Sequence, residues 1–302
     1  METGRVEVRS DVLTRWAAAA MTVRTLADVQ ARCAIPMADS DSARVDELYP
    51  RESYSQWARE GLRSGLDHMV VWADLTMPTG ARANLPVTHQ GFRWFHTLLR
   101  AALEGAAQSL WLTTVENTGE ATARLIRAVR DDLREQRLAR LAMGKDVSRI
   151  DQRITQHAAG ALEWMKYGPS EDRMPSYVSM IRSAALRASL DPNECEATWR
   201  VASAAAHGKT WAILDLQELV GEAVEWRPGQ FHTPGVVDQD RLTDSIETAV
   251  TLLSAATAQL LLRNGYDPTR EFRHSVVDVA RKSPMKDGDA QVEALAERLG
   301  IK

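Results

Sequence analysis

The segment 89–114 constrains the fold most strongly, because it has the length of a helix and is apolar nearly all the way round. Large apolar side chains recur through it from Phe92 to Trp111. A helix without a polar face of its own needs neighbours on every side, so it belongs in the middle of a bundle. The sequence therefore predicts that other helices pack around this segment.

Apolar residues at helical spacing dominate the rest of the chain. Helices are predicted over 10–34, 54–76, 89–114, 119–143, 146–166, 174–190, 191–207, 238–263, 270–281 and 289–299. We expect a loop over 35–53 and a small β-hairpin near 221–234, where glycine and proline mark turns. The pattern predicts an all-α fold, a helical bundle of roughly 8–10 helices.

Three parts of the chain are distinguished by this pattern. Residues 1–50 form an N-terminal helix and loop, 51–265 a helical core, and 266–302 a C-terminal helical extension. The first ten residues are charged and mixed in sign, unlike a signal peptide, and no apolar run approaches membrane length. With only two cysteines, the chain fits a reducing compartment, and we predict a soluble cytoplasmic protein without a membrane partner.

Composition gives no global reason to expect a nucleic-acid or membrane-surface binder, because the net charge is −4. The seven histidines include no HExxH motif and no pair four residues apart, and neither cysteine lies near a second thiol. No Walker A loop, GxGxxG turn or nucleophile elbow is present. We therefore expect neither a metal nor a cofactor.

Polar residues interrupt the central helix in a single row, His96, Arg100, Glu104 and Gln108, each four residues after the last. Buried charge is costly without a partner. Arg100 and Glu104 are therefore expected to pair with each other or to face a polar group on another helix.

A second row of polar residues lies in the segment 199–208, where alanines surround Arg200, Ser203 and His207. Arg200 and His207 are seven positions apart, which is about 20° around a helix axis, so all three side chains share one face. In a purely structural interpretation Arg200 makes an ion pair and His207 marks the helix end beside Gly208.

The functional interpretation of this row is phosphodiester cleavage. A ribonuclease without a metal has to deprotonate the ribose 2′-hydroxyl, protonate the leaving oxygen and stabilise charge on phosphorus. Histidine can act as the acid or the base, and arginine matches the geometry of phosphate oxygens. A second set of arginines, between 124 and 140, is interspersed with acids, which favours a solvated helix face over a nucleic-acid contact.

These residues resemble those of the HEPN superfamily of all-α proteins, whose motif is an arginine and a histidine with four to six residues between them, near the end of a late helix. Arg200 and His207 match it with six residues between them. The helix with Arg100 and Glu104, followed by Trp111, looks like the Arg-x-x-x-Glu helix of a HEPN-like group. Ser203, His207 and the glycine after it also look like the Ser…His-Gly ending of that group, and the resemblance covers roughly residues 50–265.

The resemblance implies a metal-independent ribonuclease in a toxin–antitoxin, phage-defence or stress system, with the active site formed across a homodimer. It implies Arg200 as the phosphate binder and His207 as the acid or base, with Ser203, Arg100, Glu104 and His96 in support. RNA and an antitoxin or other protein are the implied partners. The residue after the motif arginine is usually polar in active members and is Val201 here. The alternative is therefore a non-catalytic interaction or nucleotide-binding protein on the same scaffold.

Overall fold

The computed structural model describes residues 8–78, 92–164, 173–219, 222–233, 235–282 and 288–301. The helices are α1 Ser10–Arg32, α2 Asp41–Leu48, α3 Tyr54–Thr76, α4 Phe92–Thr113, α5 Thr118–Ala142, α6 Ser148–Trp164, α7 Tyr177–Arg187, α8 Pro192–Ala206, α9 Thr210–Asp215, α10 Gln239–Arg263, α11 Pro268–Lys282 and α12 Gly288–Leu299. The strands are β1 Gln217–Leu219, β2 Val224–Arg227, β3 Gln230–His232 and β4 Gly235–Val237. Of the residues that the structure describes, 76% are helical, which confirms the predicted all-α fold.

Helix α4 lies at the centre of the bundle, as its apolar surface predicts. It packs against α3, α7, α8 and α10. Leu99 and Leu103 are fully buried, and Leu110 is nearly so. The polar side chains on α4 are therefore held at fixed positions by helices on several sides. The sequence predicts Thr88, just before this helix, as its cap, and Thr88 lies outside the residues that the structure describes.

Glycines allow α3 and α4 to approach each other closely. A Cβ atom on Gly105 of α4 would lie within 3.0 Å of the Gly61 carbonyl oxygen and 2.9 Å from the Gly65 amide nitrogen. Real Cβ atoms essentially never come that near to backbone atoms. The two helix backbones therefore touch at this point, one residue after Glu104.

The N-terminal helix α1 is part of the same hydrophobic core, where it packs on α3, α10 and α11. Trp16 of α1 meets Trp72 of α3 edge to face, with ring centroids 6.5 Å apart. Its indole nitrogen donates a hydrogen bond of 2.9 Å to the Thr243 hydroxyl of α10. Two segments more than two hundred residues apart are joined in this way.

The last turn of α4 is closed by arginines from other helices. A helix end leaves carbonyl groups without partners. Arg124 of α5 donates to the Trp111 carbonyl and, at 3.1 Å, to the Thr114 carbonyl. Arg263 of α10 donates to the Thr113 carbonyl at 3.0 Å.

The side chain of Arg124 is only 19% exposed, so the prediction of a solvated arginine face is wrong at the start of α5.

The predicted loop 35–53 is also wrong in part, because α2 lies within it. Its first turn is capped by Ser40, whose hydroxyl accepts from the Ala43 amide at 3.2 Å. Val45 and Tyr49 are buried against α5 and α6 in a second, smaller apolar cluster. An eight-residue helix offers too little periodicity to be recognised in the sequence. Helices α2 and α9 raise the number of helices in the described ranges above the expected 8–10.

The four strands make a ribbon between α9 and α10. β1 pairs with β4 and β2 pairs with β3, both antiparallel. Gly229 occupies the turn between β2 and β3 with a φ of +72°, a conformation that glycine adopts without strain. The small hairpin predicted near 221–234 is confirmed.

Helix α10 is long and apolar enough to cross a membrane by length and composition, and no other described helix is. The expectation that no apolar run approaches membrane length is therefore wrong for this helix, whose apolar residues are spread over its whole length. Half of its most apolar window is buried inside the bundle. Ile246, Ala249 and Leu253 are fully buried in the main core. Helix α10 therefore forms part of the main core over this half of its window.

Candidate functional site

The candidate site lies where the end of α8 meets the middle of α4. Asp191 caps the start of helix α8, and its carboxylate accepts from the Asn193 amide at 2.6 Å. His207 is the cap residue at the other end, and Gly208 follows with a φ of +74°. The sequence predicts Asp191 or Asn193 as the first cap, and the structure assigns it to Asp191; the predicted helix end at His207 is confirmed. The side chain of His207 is placed at the surface.

The contact that defines the site joins His207 to Arg100. Arg100 Nη1 lies 2.8 Å from His207 Nε2. A guanidinium has only donors, so the imidazole nitrogen must accept this hydrogen bond. This hydrogen bond requires the lone pair on Nε2 to be free to accept it. Although the sequence predicts polar residues on both helices, it does not predict which pair meets.

Glu104 fixes the orientation of Arg100. The Arg100 Nε donates to Glu104 Oε1 at 2.7 Å, one helical turn away, which confirms the expected pairing. The same oxygen accepts from the Trp199 indole nitrogen of α8 at 2.9 Å. Glu104 is 17% exposed and Arg100 is 27% exposed. The carboxylate therefore holds the guanidinium in place and links α4 to α8.

Arg200 is engaged elsewhere. Its guanidinium makes an ion pair of 2.7 Å with Glu196, one turn earlier on α8. The second Glu196 oxygen accepts from Arg182 of α7 at 2.7 Å. These two arginines hold the pKa of Glu196 below its usual range. Arg200 remains 56% exposed at the surface of α8.

The remaining predicted residues surround this contact. Ser203 is half-buried, and its carbonyl accepts from the His207 amide at 3.1 Å. His96 is 1% exposed and lies edge-on to Phe95, with ring centroids 5.1 Å apart. Because it is buried, His96 contributes to the packing of α4 rather than to an open surface.

Two residues near the site were not among those predicted. Glu196 lies four residues before Arg200, and this i, i+4 spacing of opposite charges was a usable signal. The other is Tyr177 at the start of α7, whose pKa is affected by Glu104 and Arg100. Burial and then Glu104 raise its pKa, while Arg100 lowers it. No sequence pattern links Tyr177 to α4, because the link depends on how α7 packs.

A second polar cluster is buried between α6 and the α2–α3 connection. The Tyr49 hydroxyl donates to His157 Nδ1 at 2.6 Å, and His157 Nε2 lies 3.3 Å from a Glu52 oxygen. Both rings are almost fully buried. Burial lowers the pKa of His157, and Glu52 acts in the opposite direction. With so little exposure, the cluster joins helices and offers no surface to a substrate.

Other reactive groups are poorly placed for chemistry. Both cysteines are free and buried, and burial raises the pKa of Cys33 and of Cys195 to about 11. Within the part of the chain that the structure describes, no three His, Cys, Asp or Glu side chains are grouped so that they could hold a metal ion. Among the described residues, the Arg100–His207 contact is therefore the arrangement best suited to catalyse a reaction.

The chain was compared with protein-family models, with curated proteins and with solved structures, and none of them matches it significantly. The site is accordingly interpreted from its own geometry and from the motif resemblance.

Proposed function

We propose that this chain is a metal-independent endoribonuclease of the HEPN type, acting at the junction of α4 and α8. The observation that carries the proposal is the 2.8 Å hydrogen bond between Arg100 and the exposed His207. It puts a permanent cation, suited to phosphate, beside a group that can move a proton.

His207 is suited to act as the general base because its Nε2 carries a lone pair. That lone pair now accepts from Arg100. A phosphodiester that binds the guanidinium competes for the same donor, since phosphate oxygens form strong charge-assisted bonds with arginine. Binding of substrate therefore releases Nε2 next to the bound phosphate, where the ribose 2′-hydroxyl lies.

The reaction is an internal transesterification. Nε2 takes the 2′-hydroxyl proton, the 2′-oxygen attacks phosphorus, and the bond from phosphorus to the 5′-oxygen breaks. The departing oxygen needs a proton. The His207 of a second copy supplies it from the protonated imidazolium form, in the homodimer that the resemblance implies, and the two imidazoles exchange protons with solvent after each turnover. The products are a 2′,3′-cyclic phosphate and a 5′-hydroxyl.

Two arginines are candidates for the phosphate ligand. The resemblance assigns this role to Arg200, which is exposed but paired with Glu196. Arg100 is in direct contact with His207 and is oriented by Glu104. We assign the primary phosphate contact to Arg100 and a peripheral one to Arg200, with Glu104 as a positioning residue.

The biological setting is proposed on the resemblance alone. It is a cytoplasmic toxin–antitoxin, phage-defence or stress system, with RNA as substrate and an antitoxin or other protein as regulator.

The test is cleavage of end-labelled single-stranded RNA by purified protein in EDTA, with product ends identified by mass. We expect a 2′,3′-cyclic phosphate. Removing a general acid–base group costs about 10²–10⁴-fold in rate, so His207→Ala is expected to fall by that factor. Arg100→Ala is expected to lose more activity than Arg200→Ala.

His68→Ala is the matched control. His68 lies on α3, where its Nδ1 is 2.6 Å from the Ser64 carbonyl oxygen, and it plays no part in the proposed reaction. Its activity should equal that of the wild type. Cleavage that is equal in the wild type and in His207→Ala would point to a contaminating nuclease and would refute the proposal.

The second candidate is the non-catalytic interaction protein, which one observation favours. Glu104 accepts from both Arg100 and Trp199, so the same hydrogen bonds serve simply to join α4 to α8. In that case wild-type protein cleaves no RNA, whereas Glu104→Gln still lowers the free energy of unfolding.

A further inference from the structure

Two exposed surfaces of the chain are apolar and opposite in charge. The first, which we name the acidic arm, is residues 210–233 and comprises α9 and the β1–β3 part of the ribbon. It carries four acidic residues and one arginine, a net charge of −3. The second, the basic tip, is residues 134–149 at the end of α5 and the start of α6. It carries five basic and two acidic residues, a net charge of +3.

Large apolar side chains are exposed on the acidic arm. Trp211, Leu214, Leu219 and Phe231 are each between 52% and 63% exposed. A two-stranded ribbon is marginally stable in water by itself, because it buries little apolar surface. An arm of this kind gains stability when another surface covers it.

The basic tip has a matching apolar centre. Leu138, Leu141 and Met143 are between 46% and 57% exposed on the last turns of α5. Exposed apolar residues framed by charge are typical of protein interfaces. Glu135 and Asp146 lie within the tip, and their negative charge disfavours a nucleic acid as its occupant.

Several charges on both surfaces make no ion pair within the part of the chain that the structure describes. Glu218 and Glu222 on the arm make no ion pair with any described residue, and neither do Lys145 and Arg149 on the tip. Asp215, in contrast, is already paired with Arg241 at 3.0 Å. The four unpartnered charges are therefore available to another molecule.

We propose that the acidic arm of one copy docks on the basic tip of a second copy of this chain. The occupant is a second copy because the two surfaces carry opposite charge, and each exposes apolar side chains that the other can cover. A two-fold arrangement makes both contacts at once and closes the assembly as a dimer. This contact does not require the nuclease reaction, so charge reversal tests it separately from RNA cleavage. Only a monomeric wild type would count against both proposals, because the proposed reaction takes its acid from a second copy.

Charge reversal tests the contact, with mass measured by light scattering and affinity by sedimentation. One variant is Glu218→Lys with Glu222→Lys, and the other is Lys145→Glu with Arg149→Glu. We expect the wild type to form a dimer of twice 33.5 kDa. Each variant alone is expected to weaken the dimer by at least about tenfold, because like charges then face each other.

Mixing the two variants should restore the dimer, since the reversed arm of one fits the reversed tip of the other. The control for the arm variant is Glu47→Lys with Glu297→Lys. It changes the net charge by the same amount at exposed sites on α2 and α12, and it should leave the dimer intact.

Three outcomes would overturn the proposal. The first is a wild type that stays monomeric at about 100 μM. The second is a dimer that neither reversal weakens, and the third is a mixture that does not recover. Loss of RNA binding in the tip variant, without any effect on mass, would identify RNA as the occupant instead. Circular dichroism shows whether each variant is folded.

Discussion

Replacing Gly105 with alanine would test the close contact between α3 and α4. The new Cβ would lie 2.9 Å from the Gly65 amide nitrogen and within 3.0 Å of the Gly61 carbonyl oxygen. Ordinary contacts begin at 3.4 Å, so the helices must separate by at least 0.5 Å. Both neighbours are backbone atoms in the middle of helices and cannot turn aside.

The expected cost follows from two opposing terms. Overpacking a well-filled core costs about 1–3 kcal/mol, and a contact with rigid backbone belongs at the upper end of that range. Alanine is better than glycine in a helix by about 1 kcal/mol. We therefore expect Gly105→Ala to lower the free energy of unfolding by about 2 kcal/mol.

Gly61→Ala is the matched control at the same interface. Its Cβ would lie 3.4 Å from the Gly105 carbonyl oxygen, which is an ordinary contact. Only the helix-propensity term then applies, so this variant should be about 1 kcal/mol more stable than the wild type. Urea unfolding followed by tryptophan fluorescence measures both. Equal stability of the two variants would refute the close approach of the helices.

Three further changes test the packing around the site. Burial lowers the pKa of His157 from its ordinary 6.5. As the pH falls, the unfolded chain therefore protonates this histidine before the folded chain does. The neutral histidine's contribution to stability is complete above pH 6.5 and is lost below it. The drop in unfolding free energy between pH 7 and pH 5 should therefore shrink in His157→Gln; an unchanged drop would contradict this. Thr243→Val leaves the Trp16 indole nitrogen without its acceptor and should cost about 1–3 kcal/mol in urea unfolding, whereas Thr248→Val, at an exposed site on the same helix, should not. Asp191→Ala removes the cap of α8 and should cost about 1 kcal/mol, and no loss would mean that the cap is dispensable.

Local pattern predicted most of the helices, because a stripe of buried residues at helical spacing is visible along a chain. The expected helix 54–76 coincides with α3, and 238–263 differs from α10 by one residue. The short α2 and α9 were missed, since eight and six residues contain too few repeats to show a period. Their formation depends on the neighbours they pack against.

Within the site, only contacts between residues on the same helix could be predicted from the sequence. Arg100 and Glu104 are four residues apart, and their pairing followed from helix geometry. The contact between Arg100 and His207 joins residues 107 positions apart, so it depends on how α8 packs against α4. Arg200 was expected beside His207, but it is held by Glu196, an acid on its own helix that competes for its charge.

The hydrogen bond from Trp16 to Thr243 also has a consequence for synthesis of the chain. The two residues are 227 positions apart. At about 5–20 residues per second, roughly 11–45 s pass on the ribosome before α10 follows α1 out of the exit tunnel. During that time the apolar face of α1, with Trp16 and Val23, has no α10 to pack against. Nascent chains of this protein are therefore expected to be clients of ribosome-associated chaperones until α10 emerges.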